Sequence, residues 1–279
     1  MTISISSTPT ISFSSGRFPG GEVKVQIDVD ALSIEDYIGP HEVEIEATIR
    51  NSDDVMELLM VTDALRRIGV ETIHLTMPYL PYARQDRVTV PGESHSLRVF
   101  SDLINSQNYK NVTVWDVHSD VALATINNVI NFTQDVFLNS VIPGRSTRTT
   151  AMLYKPVLVA PDAGAIKKTA ALAKIYDCNY VRADKTRDPA TGKLTGAVVY
   201  TQDIENKEFL IVDDICDGGR TFLTLCELLR RYTTGKVSLY VTHGIFSGGY
   251  TELAEAFDDI YVANLLNLDL NVPDNFHII

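Results

Sequence analysis

The chain is poor in cysteine, in basic residues and in long apolar runs. Its three cysteines, Cys178, Cys216 and Cys226, are odd in number and widely spaced, so they predict neither a disulfide framework nor a zinc site. They fit a reducing compartment. No apolar run approaches the ~20 residues that span a bilayer, and residues 1–5 lack the basic start of a secretory signal. We therefore expect a cytoplasmic protein without a membrane partner.

Basic residues are outnumbered by acidic ones, 24 to 36, which gives a formal net charge of −12. Such a charge argues against nucleic acid as a partner, because the phosphate backbone would be repelled. A phosphorylated small molecule would need a local group of cations, or metal ions, to offset the acidic field. The length of 279 residues and a hydrophobic content of 45% allow two domains with substantial cores.

Short apolar, β-branched runs alternate with helical patterns, which is typical of α/β proteins with parallel sheets. Between the runs, apolar residues at helical spacing predict a helix that starts at Ser52 or Asp53 and ends at Gly69. Strict alternation at 22–28 and 43–49 predicts half-exposed or edge strands. The runs that predict buried strands are 71–77, 111–117, 156–160, 208–213 and 236–242.

A polar stretch at 143–150 contains proline, glycine and few apolar residues, and it predicts a domain boundary. We expect one α/β domain over 1–144 and a second over 145–279.

The segment from Phe209 to Thr221 has the strongest chemical content. An apolar run leads into Asp213 and Asp214, then into a turn with two glycines and the start of a helix. Backbone N–H groups at such a turn form an anion site, and glycines let a phosphate approach closely. The paired carboxylates suit ribose hydroxyls or a metal–water shell. The plainer alternative is an ordinary strand–helix turn in which Asp217 caps the helix.

Five further segments occur in an order that carries a resemblance. Pro78–Arg87 and Asp184–Asp188 each follow a predicted strand, Trp115–Ser119 and Val159–Ala165 each lie at the end of one, and Gly16–Glu22 lies near the start of the chain. With the 209–221 segment, they resemble the motifs of ribose-phosphate pyrophosphokinases from about Phe18 to about Asn264. The resemblance implies two tandem phosphoribosyltransferase-like domains, each a mainly parallel sheet flanked by helices. It also implies a homo-oligomer that takes part in nucleotide biosynthesis.

The resemblance implies a reaction and its cofactor. A Mg²⁺-dependent transferase would move the β,γ-pyrophosphoryl group of ATP to the anomeric hydroxyl of ribose 5-phosphate. The segments for ATP would lie in the N-terminal domain, and the ribose-phosphate loop and a catalytic lid in the C-terminal domain.

The resemblance also assigns residues to roles. ATP would be bound by Phe18, Glu22, Arg84, Gln85, Asp86, Arg87 and His118. Phe18 would stack on the base, Glu22 would accept from its amino group, Gln85 would read the adenine or ribose side, and Asp86 would orient Arg84 or Arg87. The catalytic set is Lys185, Arg187, Asp213 and Asp214, with both cations on a mobile lid. The ribose-phosphate set is Asp213, Asp214, Asp217, Gly218, Gly219, Arg220 and Thr221. A metal would be held by Asp116, His118 and Asp162, the first two on one strand face by their period-two spacing.

Two departures from the family pattern keep alternatives open. Gly20 replaces an aspartate of the adenine segment, and the sugar-phosphate loop reads Asp217-Gly218-Gly219-Arg220-Thr221 where the family has Asp-Thr-Gly-Gly-Thr. The loop loses a hydroxyl and gains a guanidinium, which can hold a diphosphate in a bidentate manner. ADP-ribose is therefore an alternative acceptor, giving ADP-ribose pyrophosphate for NAD synthesis or salvage. A phosphoribosyltransferase and a non-catalytic regulatory paralogue are further alternatives.

Overall fold

A computed structural model of the chain describes residues 1–5, 8–29, 42–142, 155–187, 194–200, 207–267 and 272–279. The side chains of 3–5, 8–10, 184–187 and 194–200 lie outside this description. The chain divides into two compact units, Met1–Phe132 and Thr133–Ile279. This division lies before the predicted boundary at 144, because Leu138, Val141 and Ile142 pack in a core cluster of the second unit.

The first unit is built on a six-stranded sheet with the order β2-β1-β5-β6-β7-β8. Strands β5, β6, β7 and β8 are parallel to one another, and β1 and β2 form an antiparallel edge next to β5. A separate antiparallel hairpin, β3–β4, stands outside this sheet. The strands of this unit are β1 (Thr2–Ile5), β2 (Thr8–Thr10), β3 (Phe13–Arg17), β4 (Val23–Ile27), β5 (Glu42–Glu46), β6 (Thr72–Thr76), β7 (Val112–Trp115) and β8 (Val129–Phe132).

Three described helices belong to the first unit: α1 (Ser52–Arg67), α2 (Ser96–Ser106) and α3 (Asp120–Thr125). The N-cap of helix α1 is Asn51, one residue before the nearer of the two predicted caps, Ser52. The side chain of Asn51 accepts from the N–H groups of Asp53 and Asp54, at 2.8 and 3.1 Å, so it satisfies two donors of the first turn. Gly69 ends the helix as predicted, with a φ of +95° that favours glycine.

The second unit is built on a seven-stranded sheet with the order β11-β10-β9-β12-β13-β14-β15. All described pairs are parallel except β10–β11 at one edge. The strands are β9 (Val157–Ala160), β10 (Tyr180–Arg187), β11 (Leu194–Tyr200), β12 (Phe209–Cys216), β13 (Val237–Gly244), β14 (Ile260–Leu265) and β15 (Phe276–Ile278). The described helices are α4 (Gln134–Leu138), α5 (Ile166–Tyr176), α6 (Arg220–Leu229) and α7 (Thr251–Ala256).

The central strands of the second unit are buried on both faces. In β12, Phe209 and Ile211 belong to one core cluster, while Leu210 and Val212 belong to the cluster on the opposite face. This explains the continuous apolar run in the sequence, since a parallel strand covered by helices on both sides has no polar face. The predicted α/β architecture with mainly parallel sheets is confirmed.

Of the helices in the described ranges, none combines the length and the apolar character that crossing a membrane requires.

Helix α1 offers a matched test of the first core. Leu65 is fully buried, whereas Met56 on the same helix is 41% exposed. We expect Leu65→Ala to lower the free energy of unfolding by about 2–5 kcal/mol, because it removes buried methyl groups and leaves a cavity. Met56→Ala should change it by less than about 1 kcal/mol. Urea denaturation of both variants, followed by circular dichroism, measures the difference; equal losses would contradict the packing described here.

Candidate active site

Two carboxylates lie in β12 where this strand leaves the core of the second unit. The strand continues to Cys216 because Ile215 and Cys216 still pair with His243 and Gly244 of β13, so Asp213 and Asp214 lie inside it and not at its end. Successive side chains of a strand point to opposite faces. Asp214 is 8% exposed, and its Oδ2 lies 3.6 Å from the Nζ of Lys168 on α5.

Asp213 is surrounded by other acids. Burial raises the pKa of its carboxyl well above the usual range, and the negative charges of Asp214 and Asp162 raise it further. Asp162 follows β9, and its Oδ1 accepts from the N–H of Ala165 at 3.1 Å, before α5 begins. The backbone carbonyl of Asp213 accepts from Gln134 Nε2 at 2.6 Å. Three predicted carboxylates therefore gather at the carboxyl ends of the neighbouring strands β9 and β12.

The glycine turn, residues 217–219, connects β12 to α6. Gly219 is the N-cap residue of α6 and has a φ of +74°. Since glycine offers no side-chain acceptor, the first N–H groups of α6 are not capped by that residue. Gly218 is exposed, and a Cβ added there would meet nothing within 4 Å. The turn has the features of an anion site, with backbone donors, open space and the positive end of a helix dipole.

Arg220 and Thr221 are the first two residues of α6. Arg220 is exposed and Thr221 is half-buried. Both therefore lie at the end of the helix that adjoins the glycine turn, as the sequence predicts for residues that hold a phosphate.

A second loop contacts the glycine turn. Ser247 Oγ donates to Asp217 Oδ1, and the N–H of Ile245 donates to the carbonyl of Cys216 at 2.8 Å. A Cβ at Gly248 would lie 3.4 Å from the carbonyl oxygen of Gly218. Ser247 lies in the segment Thr242–Gly248, which resembles a family segment near phosphate and regulatory contacts, although the sequence does not assign it as a site residue.

The backbone of Lys185 and Arg187 belongs to β10, paired with Ala197 and Leu194 of β11. The sequence predicts both cations after a strand, on a mobile lid, whereas in the structure the strand itself extends through both of them because β11 pairs with it. Their side chains lie outside the described residues, and the catalytic role assigned to them stays a prediction.

In the first unit, Asp86 connects two of the predicted segments. It is 9% exposed, and its carboxylate accepts from Arg87 Nε at 2.8 Å and from the guanidinium Nη2 at 3.2 Å. The hydrogen bonds from Arg87 and Ser119 hold the pKa of Asp86 below its usual range, against the effect of burial, and His118 adds a smaller favourable charge. The loop at 77–95 and the loop that follows β7 are therefore joined at Asp86.

Gln85, in the same loop, has both ends of its amide engaged. Its Nε2 donates to Glu93 Oε1 at 2.9 Å, and its Oε1 accepts from Ser96 Oγ. The neighbouring Arg84 is exposed. Glu93 and Ser96 were not predicted as site residues, because neither has a distinctive spacing in the sequence.

The prediction that Asp116 and His118 lie on one face of a strand is wrong. β7 ends at Trp115, and Asp116 has a φ of +36°, so the chain has left the extended conformation. Asp116 is 3% exposed, whereas His118 is exposed.

Within the described ranges, no three side chains among His, Cys, Asp and Glu are arranged as a metal site. Mg²⁺ is usually held by one or two carboxylates together with water and substrate phosphates, so single carboxylates such as Asp162 still suit it.

The tip of the β3–β4 hairpin carries Phe18 and Glu22. Phe18 is 52% exposed, and Lys24 Nζ lies 5.8 Å from the centre of its ring. The carboxylate of Glu22 occupies the space beside Gly20, where an added Cβ would come within 2.6 Å of Oε2. The glycine that departs from the family pattern is therefore compatible with this position of Glu22, and a larger residue would displace it.

Two family models match the chain. The N-terminal domain of ribose phosphate pyrophosphokinase matches residues 3–107, and the phosphoribosyl transferase domain matches residues 147–268. The ribose-phosphate pyrophosphokinase of Pyrococcus furiosus is 30% identical over 255 residues, which cover 90% of this chain and 84% of that relative. The chain belongs to the ribose-phosphate pyrophosphokinase family. It is thus a member of a family of transferase enzymes.

Other relatives of the family agree. The ribose-phosphate pyrophosphokinase of Agrobacterium fabrum is 31% identical over 84% of this chain and 72% of that relative. The crystal structure of phosphoribosylpyrophosphate synthetase from Mycobacterium smegmatis has a TM-score of 0.79 at 22% identity, and covers 97% of this chain and 86% of its own. The predicted fold class, two tandem phosphoribosyltransferase-like domains, is confirmed.

The raised pKa of Asp213 predicts a dependence of stability on pH. A carboxyl whose pKa is higher in the folded state stabilises the fold below its unfolded pKa, near 3.9, and this contribution is lost as pH rises through the folded pKa. Asp213→Asn should therefore raise the free energy of unfolding at pH 7, with a gain that shrinks towards pH 4. Chemical denaturation across pH, in the presence of a chelator, measures this. Asp274→Asn, at an exposed position of the same unit, is the control; an equal gain there would contradict the explanation.

Proposed function

We propose that the chain transfers the β,γ-pyrophosphoryl group of ATP to the 1-hydroxyl of ribose 5-phosphate, giving phosphoribosyl pyrophosphate and AMP. The relatives described above bear the name of this reaction. The observation that carries the proposal is the pair Asp213–Asp214 next to the glycine turn at the start of α6.

This arrangement suits a sugar phosphate. The 5-phosphate would accept hydrogen bonds from the N–H groups of the glycine turn and the first turn of α6, where the helix dipole favours an anion. The 2- and 3-hydroxyls of ribose would donate to Asp213 and Asp214. Lys168 keeps a positive charge next to Asp214, which favours the ionised carboxylate that such a donor needs.

The first unit would bind ATP. The exposed guanidinium groups of Arg84 and Arg87 suit phosphate oxygens, since their fork of N–H donors matches two oxygens at once. Asp86 holds Arg87 through two of these N–H groups. Phe18 would stack on adenine and Glu22 would accept from its amino group, while His118 would contact the phosphates.

The chemical step needs no covalent intermediate. The anomeric oxygen attacks the β-phosphorus of ATP and loses its proton, and the bond from that phosphorus to the α–β bridging oxygen breaks, releasing AMP. Negative charge develops on the bridging and equatorial oxygens, so cations close to them lower the barrier. We assign this role to Lys185 and Arg187.

Mg²⁺ would neutralise the β- and γ-phosphate oxygens of ATP. The protein groups that would hold Mg²⁺, directly or through water, are the carboxylate of Asp162 in the second unit and, in the first unit, the carboxylate of Asp116 and the imidazole of His118. The negative charge of Asp162 raises the pKa of Asp213. A divalent cation bound beside these carboxylates would reduce the repulsion between them.

Release of AMP from Mg-ATP tests the proposal. We expect AMP only when ribose 5-phosphate is present, with one phosphoribosyl pyrophosphate formed per AMP. Lys185→Ala should lower kcat by at least about 100-fold while the KM for ATP changes by less than about threefold, because the lysine would act in the transition state. Absence of AMP would indicate the non-catalytic paralogue, and release independent of acceptor would also contradict the proposal.

ADP-ribose is a second candidate acceptor, favoured by the open side of the glycine turn. Gly218 faces open space and Arg220 is exposed next to it. A 5-phosphate that continues into a second phosphate could pass Gly218 and meet the guanidinium. ADP-ribose has the same free anomeric hydroxyl, so the reaction would be unchanged.

Restoring the family's loop separates the two acceptors. The combined variant Gly218→Thr, Arg220→Gly returns the hydroxyl and removes the guanidinium, and the open space beside Gly218 accommodates the threonine. If the loop selects ADP-ribose, the ratio of kcat/KM for ribose 5-phosphate to that for ADP-ribose should rise by about tenfold. Measurement of both products by mass spectrometry gives this ratio. An unchanged ratio, or no turnover of ADP-ribose by the unaltered chain, would remove the second candidate.

A further inference from the structure

The carboxylate of Glu93 is a centre of hydrogen bonding in the loop at 77–95. Its Oε2 accepts from the N–H and the hydroxyl of Thr89, both at 2.7 Å, and from the N–H of Val90 at 3.3 Å. Its Oε1 accepts from Gln85 Nε2 at 2.9 Å. These donors lower the pKa of Glu93 to about 2, and the N–H of Thr89 has the largest effect. The group is therefore ionised in any working buffer.

The backbone turn that brings Glu93 back to Thr89 is specified locally. Pro91 and Gly92 occupy the two central positions, Gly92 has a φ of +88°, and the N–H of Glu93 donates to the carbonyl of Val90 at 3.2 Å. Proline followed by a glycine of positive φ is typical of a type II turn. The turn brings the side chain of Glu93 back to residues 89 and 90.

Gln85 links the Glu93 carboxylate to helix α2. Its amide oxygen accepts from Ser96 Oγ, and its backbone carbonyl accepts from the N–H of Leu97 at 3.3 Å. Both partners belong to the first turn of α2. Gln85 therefore connects the Glu93 carboxylate to a helix of the core, and its amide is used within the protein.

Gln85 lies between Arg84 on one side and Asp86 and Arg87 on the other, so a shift of Gln85 would move the backbone that carries both arginines. We propose that Glu93 is a positioning residue for the nucleotide. Its charge holds Gln85, and Gln85 holds the Arg84–Arg87 segment ready for the phosphates. In this proposal the amide of Gln85 binds Glu93 and Ser96 of the protein. The resemblance in sequence implies instead that it contacts the adenine or the ribose. The inference rests on the proposed function, because it takes ATP as the ligand of this segment.

A double-mutant cycle tests the connection. Glu93→Ala and Gln85→Ala should each raise the Kd for Mg-ATP, measured by calorimetry without acceptor, by roughly tenfold, as expected for loss of a hydrogen bond to a charged group. The double variant should be no weaker than the worse single variant by more than about twofold, because both changes break one connection. Glu71→Ala, at an exposed position of the same unit, is the control and should leave the Kd unchanged. Full additivity would overturn the proposal.

An exchange of the two groups separates positioning from direct contact. In the variant Gln85→Glu, Glu93→Gln, the new amide at 93 can donate to the new carboxylate at 85, while its oxygen still accepts from Thr89. We expect a Kd within about threefold of the unaltered chain, whereas each single exchange stays weaker. If Gln85 reads the nucleotide directly, the exchange will not restore binding. Thermal unfolding of every variant checks that the fold is retained.

The outcomes also separate this inference from the proposed function. Binding of ATP that depends on Glu93, without acceptor-dependent AMP, would refute the reaction and support the positioning role. Acceptor-dependent AMP with a Kd for ATP that is unaffected by Glu93→Ala would support the reaction and refute the positioning role. An unaltered chain that does not bind Mg-ATP would overturn both.

Discussion

Strand β12 must be apolar on both faces along the part that helices cover. This constraint determines where charged side chains can occur in the second unit. The strand is buried from Phe209 to Val212, and its first polar side chains are Asp213 and Asp214. Polar groups that meet them also come from the carboxyl end of the sheet: Asp162 follows β9, and the glycine turn follows β12 itself. Ligands of parallel α/β sheets bind at this end for the same reason.

The candidate site is acidic, although its expected ligands are anions. Around Asp213, burial and two neighbouring carboxylates oppose ionisation, and the described cation beside the pair, Lys168, contacts Asp214. Under the proposed function, recognition of phosphate in this part of the chain would therefore depend on backbone N–H groups at α6, on Arg220 and on cations that arrive with the nucleotide. In the first unit the balance differs, because Arg84 and Arg87 are exposed and an ionised Asp86 holds Arg87.

Much of this architecture could be predicted from the sequence. Runs of β-branched residues gave the central strands, and Gly69 and the glycine turn were placed correctly because a positive φ leaves a clear residue preference. The ends of elements were harder. β12 extends past Asp214 because β13 continues to pair with it, and the cap of α1 is Asn51, not Ser52 or Asp53. Lys168 and Gln134 carry no local signal, since their partners are set by tertiary contacts, whereas Glu93 contacts residues three to eight positions before it. Asp116 was misjudged because a left-handed φ in a non-glycine residue cannot be read from the chain.

The contact between Gly219 and Leu253 ties the glycine turn to α7. A Cβ at Gly219 would lie 2.9 Å from Leu253 Cδ1, so two independent conditions, a positive φ and a steric limit set by another helix, forbid a side chain at this position. Shortening Leu253 would remove only the second of them. The size of the side chain at position 253 thus affects the shape of a loop 34 residues away in sequence. A leucine outside the candidate site therefore limits the space at the turn that is proposed to hold the phosphate.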